Sequence, residues 1–248
     1  YDGADLIRME YYDRNGDPCD YDNLGEVRWF GYSPEGNCIR EEYLRYGMLF
    51  KLIVREYDSR GNGSRESRLD GEGHSLRGIS PAHVVRRWNE YGDCVESLFF
   101  DADGRPQKWY FSGIKEDYRY RNGKIVFRER SYWKANQQPG HDGDNIFKRS
   151  FVFDERGNLL EEARYDSAGK LRAPGSGIAL IRREYDSQNR LLYEAFFGAD
   201  GKPVAGSSGW AARKREYIDR WNLLRQSYFD VDNRPFSLDG FCVEETYE

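Results

Sequence analysis

The chain has 248 residues, 33% of them charged, with 38 Lys and Arg against 43 Asp and Glu and a formal net charge of −5. This near-balance argues against nucleic-acid binding, because such an interface needs a clear excess of Lys and Arg to displace counterions. No run of about 18 apolar residues occurs, so we expect no membrane span. Phe, Trp and Tyr together outnumber Leu, Ile and Val, a composition that favours many short hairpins over a large aliphatic core.

An internal repeat with a period of about 32 residues runs through the chain. Its clearest mark is an aromatic residue directly before a turn, here called the anchor. In chain order the anchors are Tyr32, Tyr57, Trp88, Tyr120, Phe153, Tyr185 and Tyr217. We therefore predict a single repeat array over residues 1–248, with about seven units.

Each unit contains a second turn, which begins after another aromatic or apolar position 12 residues beyond the anchor. Asp opens this turn in four units, as in DADGRP at 101–106 and DVDNRP at 230–235. The Asp side chain can accept hydrogen bonds from backbone N–H groups of the turn, and Gly supplies the left-handed residue. The segments between turns have the length of strands rather than helices. The predicted fold class is therefore all-β, with tandem antiparallel β-hairpin repeats that form an elongated or curled sheet or solenoid.

Charge alternates between the two strands of a predicted hairpin. The strand before the anchor turn is basic, as at 182–183 and 213–215, and the strand after it is often acidic, as at 161–162 and Glu194. Antiparallel pairing places these opposite charges next to each other, which fixes the register. The high charge content is thus explained by pairing within the sheet more simply than by a charged ligand site.

Two units are irregular. The first has 25 residues, and in another the segment 132–147 replaces the Asp-Gly turn. Such departures often form loops on a binding face, so an enzyme site near 132–147 stays an alternative, although drift between repeats explains them more simply. Both chain ends are out of phase with the repeat, and we expect a fragment of a longer protein.

The residues that usually carry chemistry are scattered. The three His and four Cys show no zinc-site spacing, and Asp101 and Asp103 recur as Asp230 and Asp232 in another turn. We therefore expect no catalytic residues, no metal site and no cofactor. A disulfide between Cys19 and Cys38 cannot be deduced from the sequence alone.

Aromatic residues at or beside turns are the remaining candidates for ligand binding. Half-exposed rings of this kind can pack on the apolar face of a sugar, which predicts a carbohydrate-binding module as an alternative function. The residues concerned are Trp109, Tyr110, Tyr132, Trp133, Trp210 and Trp221. The competing interpretation is that these rings fill the gaps between successive hairpins.

The elements YDSRGN at 57–62 and FDERGN at 153–158, with FFDADGRP at 99–106, resemble the tandem YD repeats of bacterial RHS-type proteins. A weaker similarity links them to the aromatic cell-wall- and choline-binding repeats. The first resemblance covers most of the chain and implies hairpins laid side by side in a curling sheet, sometimes a shell around a toxin domain. It also implies a non-catalytic scaffold or binding role, a secreted or surface location, and other domains of the same polypeptide as partners. Neither resemblance names the protein or glycan that is bound.

Overall fold

The computed structural model describes residues 5–20, 25–78, 81–107, 110–219 and 222–237, together with the backbone of 244–246. Within these ranges the regular structure is sixteen β-strands and no helix. The chain divides into two compact units, Tyr1–Ile114 and Lys115–Glu248. The predicted all-β class is confirmed, and the single array over 1–248 stays a prediction.

In the first unit the strands form an antiparallel sheet in chain order. They are β1 (Arg8–Glu10), β2 (Val27–Tyr32), β3 (Cys38–Arg45), β4 (Met48–Tyr57), β5 (Gly63–Leu69), β6 (His83–Trp88) and β7 (Cys94–Phe100). Three hairpins, β2–β3, β4–β5 and β6–β7, each follow the predicted pattern of strand, anchor, turn and strand.

The second unit repeats this organisation, again with neighbouring strands consecutive in the sequence. Its strands are β8 (Gly113–Arg121, which begins at the unit boundary), β9 (Lys124–Trp133), β10 (Lys148–Phe153), β11 (Leu159–Tyr165), β12 (Leu180–Tyr185), β13 (Leu191–Phe197), β14 (Ala212–Tyr217), β15 (Leu223–Phe229) and β16 (Glu244–Thr246). Its hairpins are β8–β9, β10–β11, β12–β13 and β14–β15.

In the second unit, pairing is longer within a hairpin than between hairpins. Strands β12 and β13 pair from Leu180 opposite Phe197 to Tyr185 opposite Leu191, with a register shift just before the turn. Strand β13 pairs with β14 only over Tyr193–Ala195. The ends of neighbouring hairpins at the anchor turns are therefore not joined by backbone hydrogen bonds, and side chains must join them.

The second turn returns the chain to the sheet edge through a recurring bridge. The residue 12 after the anchor pairs with a residue six positions further on, as in Phe100 with Pro106 and Phe229 with Pro235. The Asp at the start of the turn accepts backbone N–H bonds through one oxygen, at 2.9–3.0 Å for Asp101. The turn mechanism expected from the sequence is confirmed here.

The two irregular units keep the fold by different means. In the first, a two-residue turn at Tyr46–Gly47, with both φ angles positive, replaces the second turn and joins β3 directly to β4. In the other, Lys134 and Gln138 close the usual second turn although Asp and Gly are missing, and Gln137 takes the left-handed conformation with φ 63°. The segment 132–147 therefore lacks the Asp-Gly sequence, as expected, but keeps the turn geometry, because Gln137 adopts a backbone conformation that usually calls for Gly.

The core is thin and lies on both faces of each sheet. Small side chains are buried where the chain enters a new hairpin, notably Ala82, Ala179 and Ala211. In the described part of the chain, the largest fully buried side chain is Ile146. Since few large aliphatic groups are buried, the hairpins must be held together largely by aromatic and polar contacts.

Candidate functional site: the hairpin junctions

Three of the anchor rings join their hairpin to the one before it through a hydrogen bond. The Tyr57 hydroxyl donates a hydrogen bond to the backbone carbonyl of Cys38 at 2.8 Å, and the Tyr217 hydroxyl donates to that of Leu191 at 3.1 Å. The Trp88 indole N–H does the same to the Gly63 carbonyl at 3.0 Å. In each case the acceptor lies six residues after the preceding anchor, so this bond, here called the tether, is a feature of the repeat.

The tether explains why a tyrosine or tryptophan suits the anchor position. A ring fills the gap where neighbouring hairpins are not joined by backbone bonds, and a polar atom at its far end satisfies a carbonyl next to the turn. Tyr32 extends the same pattern to β1, since its hydroxyl donates to the Leu6 carbonyl at 2.9 Å. The sequence marks the anchors but contains no signal for the acceptor, which is a backbone atom.

A row of ion pairs crosses the hairpins on one face of each sheet. In the second unit, Glu194 receives the Arg183 guanidinium from its own hairpin at 2.8 Å and Arg213 from the next hairpin at 3.0 Å. The strand register places Glu194 directly opposite both arginines. The cross-strand charge pairing predicted from the sequence is confirmed, and it also links hairpin to hairpin, which was not predicted.

The first unit has an equivalent row around Glu41. This buried carboxylate accepts hydrogen bonds from Arg28 at 2.9 Å, Arg55 at 2.5 Å and the Tyr43 hydroxyl at 2.7 Å. Burial works against ionisation of Glu41, but the three hydrogen bonds outweigh it and lower its pKa. Burial and the hydrogen bond to Glu41 raise the pKa of Tyr43 to about 12. Arg55 reaches on to Glu66 of β5 at 3.4 Å, so the row from Arg28 to Glu66 crosses four strands.

The candidate aromatic residues have different environments. Tyr110 is 58% exposed, whereas Tyr132 is only 6% exposed and does not offer its ring face to solvent. The Trp133 ring lies 4.9 Å from the Lys115 ammonium, and its indole N–H donates to Ser131. Trp210 stacks on Phe196 with ring centroids 4.7 Å apart. Trp109 and Trp221 lie outside the described residues. The ligand-binding role of all six residues stays a prediction.

The acidic loop at 141–145, part of the irregular segment, is built as a turn. One oxygen of the Asp142 carboxylate accepts the backbone N–H groups of Asp144 and Ile146. The other oxygen receives the Arg149 guanidinium at 2.6 Å. The Asp142 carboxylate is thus used to fix the loop and to bind Arg149, and an enzyme site near 132–147 stays untested.

Other groups that could carry chemistry are held apart. His83 lies between two hydroxyls, with Nε2 at 2.9 Å from Ser75 Oγ and Nδ1 at 3.0 Å from Ser67 Oγ. Cys19 and Cys38 are not joined in a disulfide, and Cys94 Sγ lies 3.4 Å from the Glu96 carbonyl oxygen. Within the described ranges, no three His, Cys, Asp or Glu side chains form a group that could hold a metal ion, and no helix is long and apolar enough to cross a membrane.

Comparison with known proteins places the chain only at a distance from solved structures. No protein-family model matches it, and no curated protein matches it. A chain of "Crystal Structure of TcdB2-TccC3-Cdc42" is similar over 90% of this chain, with 12% identity and a TM-score of 0.40, and a chain of "Crystal Structure of TcdB2-TccC3" over 85%, with 12% identity and 0.41. A chain of "Crystal Structure of TcdB2-TccC3 without hypervariable C-terminal region" is similar over 92%, with 14% identity and 0.36. This chain spans 12–13% of the length of those chains.

Proposed function

We propose that this chain is a non-catalytic structural and interaction module, a YD/RHS-like scaffold or shell segment within a larger bacterial secreted or surface protein. The observation that supports the scaffold role is the recurring tether, because the anchors Tyr32, Tyr57, Trp88 and Tyr217 each bond to a backbone carbonyl of the preceding segment. Buried carboxylates such as Glu41 and Glu194 are likewise bound by arginines from neighbouring strands. The larger protein and its location rest on the sequence resemblance.

Stability measurements separate a structural role of these charges from a role in ligand binding or catalysis. Groups kept for function often destabilise the fold, so replacing them leaves stability unchanged or raises it. Glu194 is bound by two arginines whose side chains are less than one quarter exposed. Because both arginines can still reach water, we expect Glu194→Gln to lower the free energy of unfolding by about 2 kcal/mol, less than for a fully buried pair.

Glu155→Gln is the matched control. Glu155 pairs with Arg121 at 3.4 Å, and both side chains are about two-thirds exposed. Exposed pairs contribute roughly 0–1 kcal/mol, so this variant should differ little from the parent in a urea titration followed by circular dichroism. The structural interpretation is wrong if Glu194→Gln is as stable as the control. An antibody raised against this chain would show, from the mass of the native polypeptide, whether a larger protein contains it.

Carbohydrate binding is a second candidate function, supported by the exposure of Tyr110. Its ring is open to solvent on a turn, and the half-exposed Trp133 ring lies below a lysine ammonium that could bond a sugar hydroxyl. We expect a glycan that is bound through one of these rings to bind less well to the variant of that ring, Tyr110→Ala or Trp133→Ala. Exposed Tyr46→Ala serves as the control, and binding that survives both test variants would exclude these two rings.

A further inference from the structure

Two clefts lie between neighbouring hairpins at equivalent positions of the repeat. One, of about 800 Å³, lies beside the anchor Tyr57, and the other, of about 670 Å³, lies beside the anchor Tyr217. Asn37 lines the first and Arg190 lines the second, each five residues after the preceding anchor. They are called the Tyr57 cleft and the Tyr217 cleft below.

In the Tyr217 cleft a cation of the chain itself lies over the anchor ring and lines the open space. The Arg190 guanidinium lies 4.7 Å from the centroid of the Tyr217 ring, and its Nε donates to Asp186 at 2.6 Å. Its NH1 also donates to the backbone carbonyl of Asp219 in the next anchor turn. This geometry demonstrates that the gap beside an anchor ring accommodates a guanidinium, which is attracted to the ring face and finds hydrogen-bond acceptors around it.

The Tyr57 cleft has the ring but lacks the cation. Asn37 is too short to extend over Tyr57, and among the described residues no guanidinium or ammonium lies over that ring as Arg190 does over Tyr217. Two arginines also line the cleft, but Glu41 holds the Arg55 guanidinium at 2.5 Å and the Arg60 guanidinium donates to the backbone carbonyl of Asn89 at 3.3 Å. The Tyr57 ring therefore borders open space of a size typical of small-ligand sites.

The charge of this cleft suits a cation. Glu35 and Glu56 both line it, and neither forms an ion pair with any described residue. A hydrogen bond from Ser33 lowers the pKa of Glu35, which keeps its carboxylate ionised. In the Tyr217 cleft the residue equivalent to Glu56 is Glu216, and Arg225 binds it at 2.7 Å. The Tyr57 cleft thus has an available carboxylate at the position where the other cleft has the paired Glu216.

We propose that the Tyr57 cleft binds the guanidinium group of a ligand in the place that Arg190 fills in the Tyr217 cleft. The group stacks on the Tyr57 ring and pairs with Glu35 and Glu56. Free arginine derivatives and arginine side chains of a polypeptide share this chemistry. Guanidinium binding goes beyond the scaffold role. A variant that no longer binds the guanidinium can still fold and serve as a scaffold, so the two proposals fail separately.

Calorimetric titration with arginine amide and with the tripeptide Gly-Arg-Gly tests the proposal, with citrulline amide as the neutral probe of similar shape. We expect one site for both arginine probes and at least tenfold weaker binding of citrulline amide. If Gly-Arg-Gly binds more tightly than arginine amide, the source of the guanidinium is a polypeptide. If the two affinities are equal, the source is a small ligand. The proposal is overturned if neither arginine probe saturates a site or if citrulline amide binds equally well.

Exchange of the residue five positions after the anchor provides matched variants. Asn37→Arg should place a guanidinium over Tyr57 and reduce binding of arginine amide at least tenfold. Arg190→Asn is the matched control: it removes the guanidinium over the Tyr217 ring but leaves Glu216 paired with Arg225 at 2.7 Å, so the number of sites should stay at one. Glu35→Gln should weaken binding about threefold, the effect of losing one exposed ion pair. Unchanged binding in folded Asn37→Arg refutes the assignment of the cleft.

Discussion

Removal of a single tether hydroxyl should lower the free energy of unfolding by the net contribution of one hydrogen bond. In Tyr57→Phe the ring stays and only the bond to the Cys38 carbonyl, 2.8 Å long, is lost. Tyr57 is half-buried, so water can partly replace the lost donor, and a net hydrogen bond of this kind contributes about 1 kcal/mol. In a chain of this size that loss corresponds to a fall in Tm of about 2–4 °C.

The assay is urea unfolding followed by circular dichroism, with Tyr46→Phe as the control. Tyr46 is 80% exposed at the tip of the β3–β4 hairpin, so removal of its hydroxyl should change the unfolding midpoint very little. Tyr217→Phe should match Tyr57→Phe, since it removes the equivalent bond in the second unit. The tether argument is refuted if both anchor variants unfold at the same urea concentration as Tyr46→Phe.

Three further predictions concern backbone strain, close packing and pH. Gln137→Gly should raise the free energy of unfolding by about 1 kcal/mol in urea titrations, because a side chain is unfavourable at φ 63°; an unchanged midpoint would contradict the strain. Gly71→Ala should lower it by about 1–3 kcal/mol, because the added Cβ overlaps the Leu49 carbonyl, whereas Gly143→Ala meets open space and should be neutral. Burial lowers the pKa of His83 from its ordinary value of 6.5, and repulsion from Arg65 lowers it further. The folded chain therefore favours the neutral ring, so this contribution to stability is present above pH 6.5 and declines as the pH falls below it. The wild-type urea midpoint should therefore fall more between pH 7.5 and 5.5 than that of His83→Gln, and equal falls would argue against this effect.

Much of the fold follows from the sequence because turn chemistry is local. Asp and Gly at fixed offsets specify the turn conformation, as at Asp101 and Gly104, and the spacing of the anchors then sets the strand lengths. The paired charges could also be predicted, since a two-residue period and an antiparallel turn bring Arg183 opposite Glu194. These features need no knowledge of neighbouring repeats.

The contacts between hairpins could not be predicted in the same way. The tether acceptor is a backbone carbonyl, so no side chain marks Cys38 or Leu191 as its site. The turn at 134–138 was missed because Gln137 adopts a left-handed conformation that its residue type does not favour. The difference between Asn37 and Arg190 is visible in the sequence. The sequence does not show that Arg190 lies over the anchor ring of the following repeat, Tyr217.

The claim that neighbouring hairpins are held together as one array within each unit is tested most directly by native-state amide hydrogen exchange. The Arg164 and Phe196 amides donate across hairpin junctions to the carbonyls of Ala179 and Ala211, both at 2.9 Å. We predict that these two amides exchange as slowly as amides inside a hairpin, such as that of Ala211, which donates to Phe229 within its own hairpin at 2.8 Å. Fast exchange at Arg164 and Phe196, with slow exchange at Ala211, would mean that the hairpins open independently and would contradict the scaffold role.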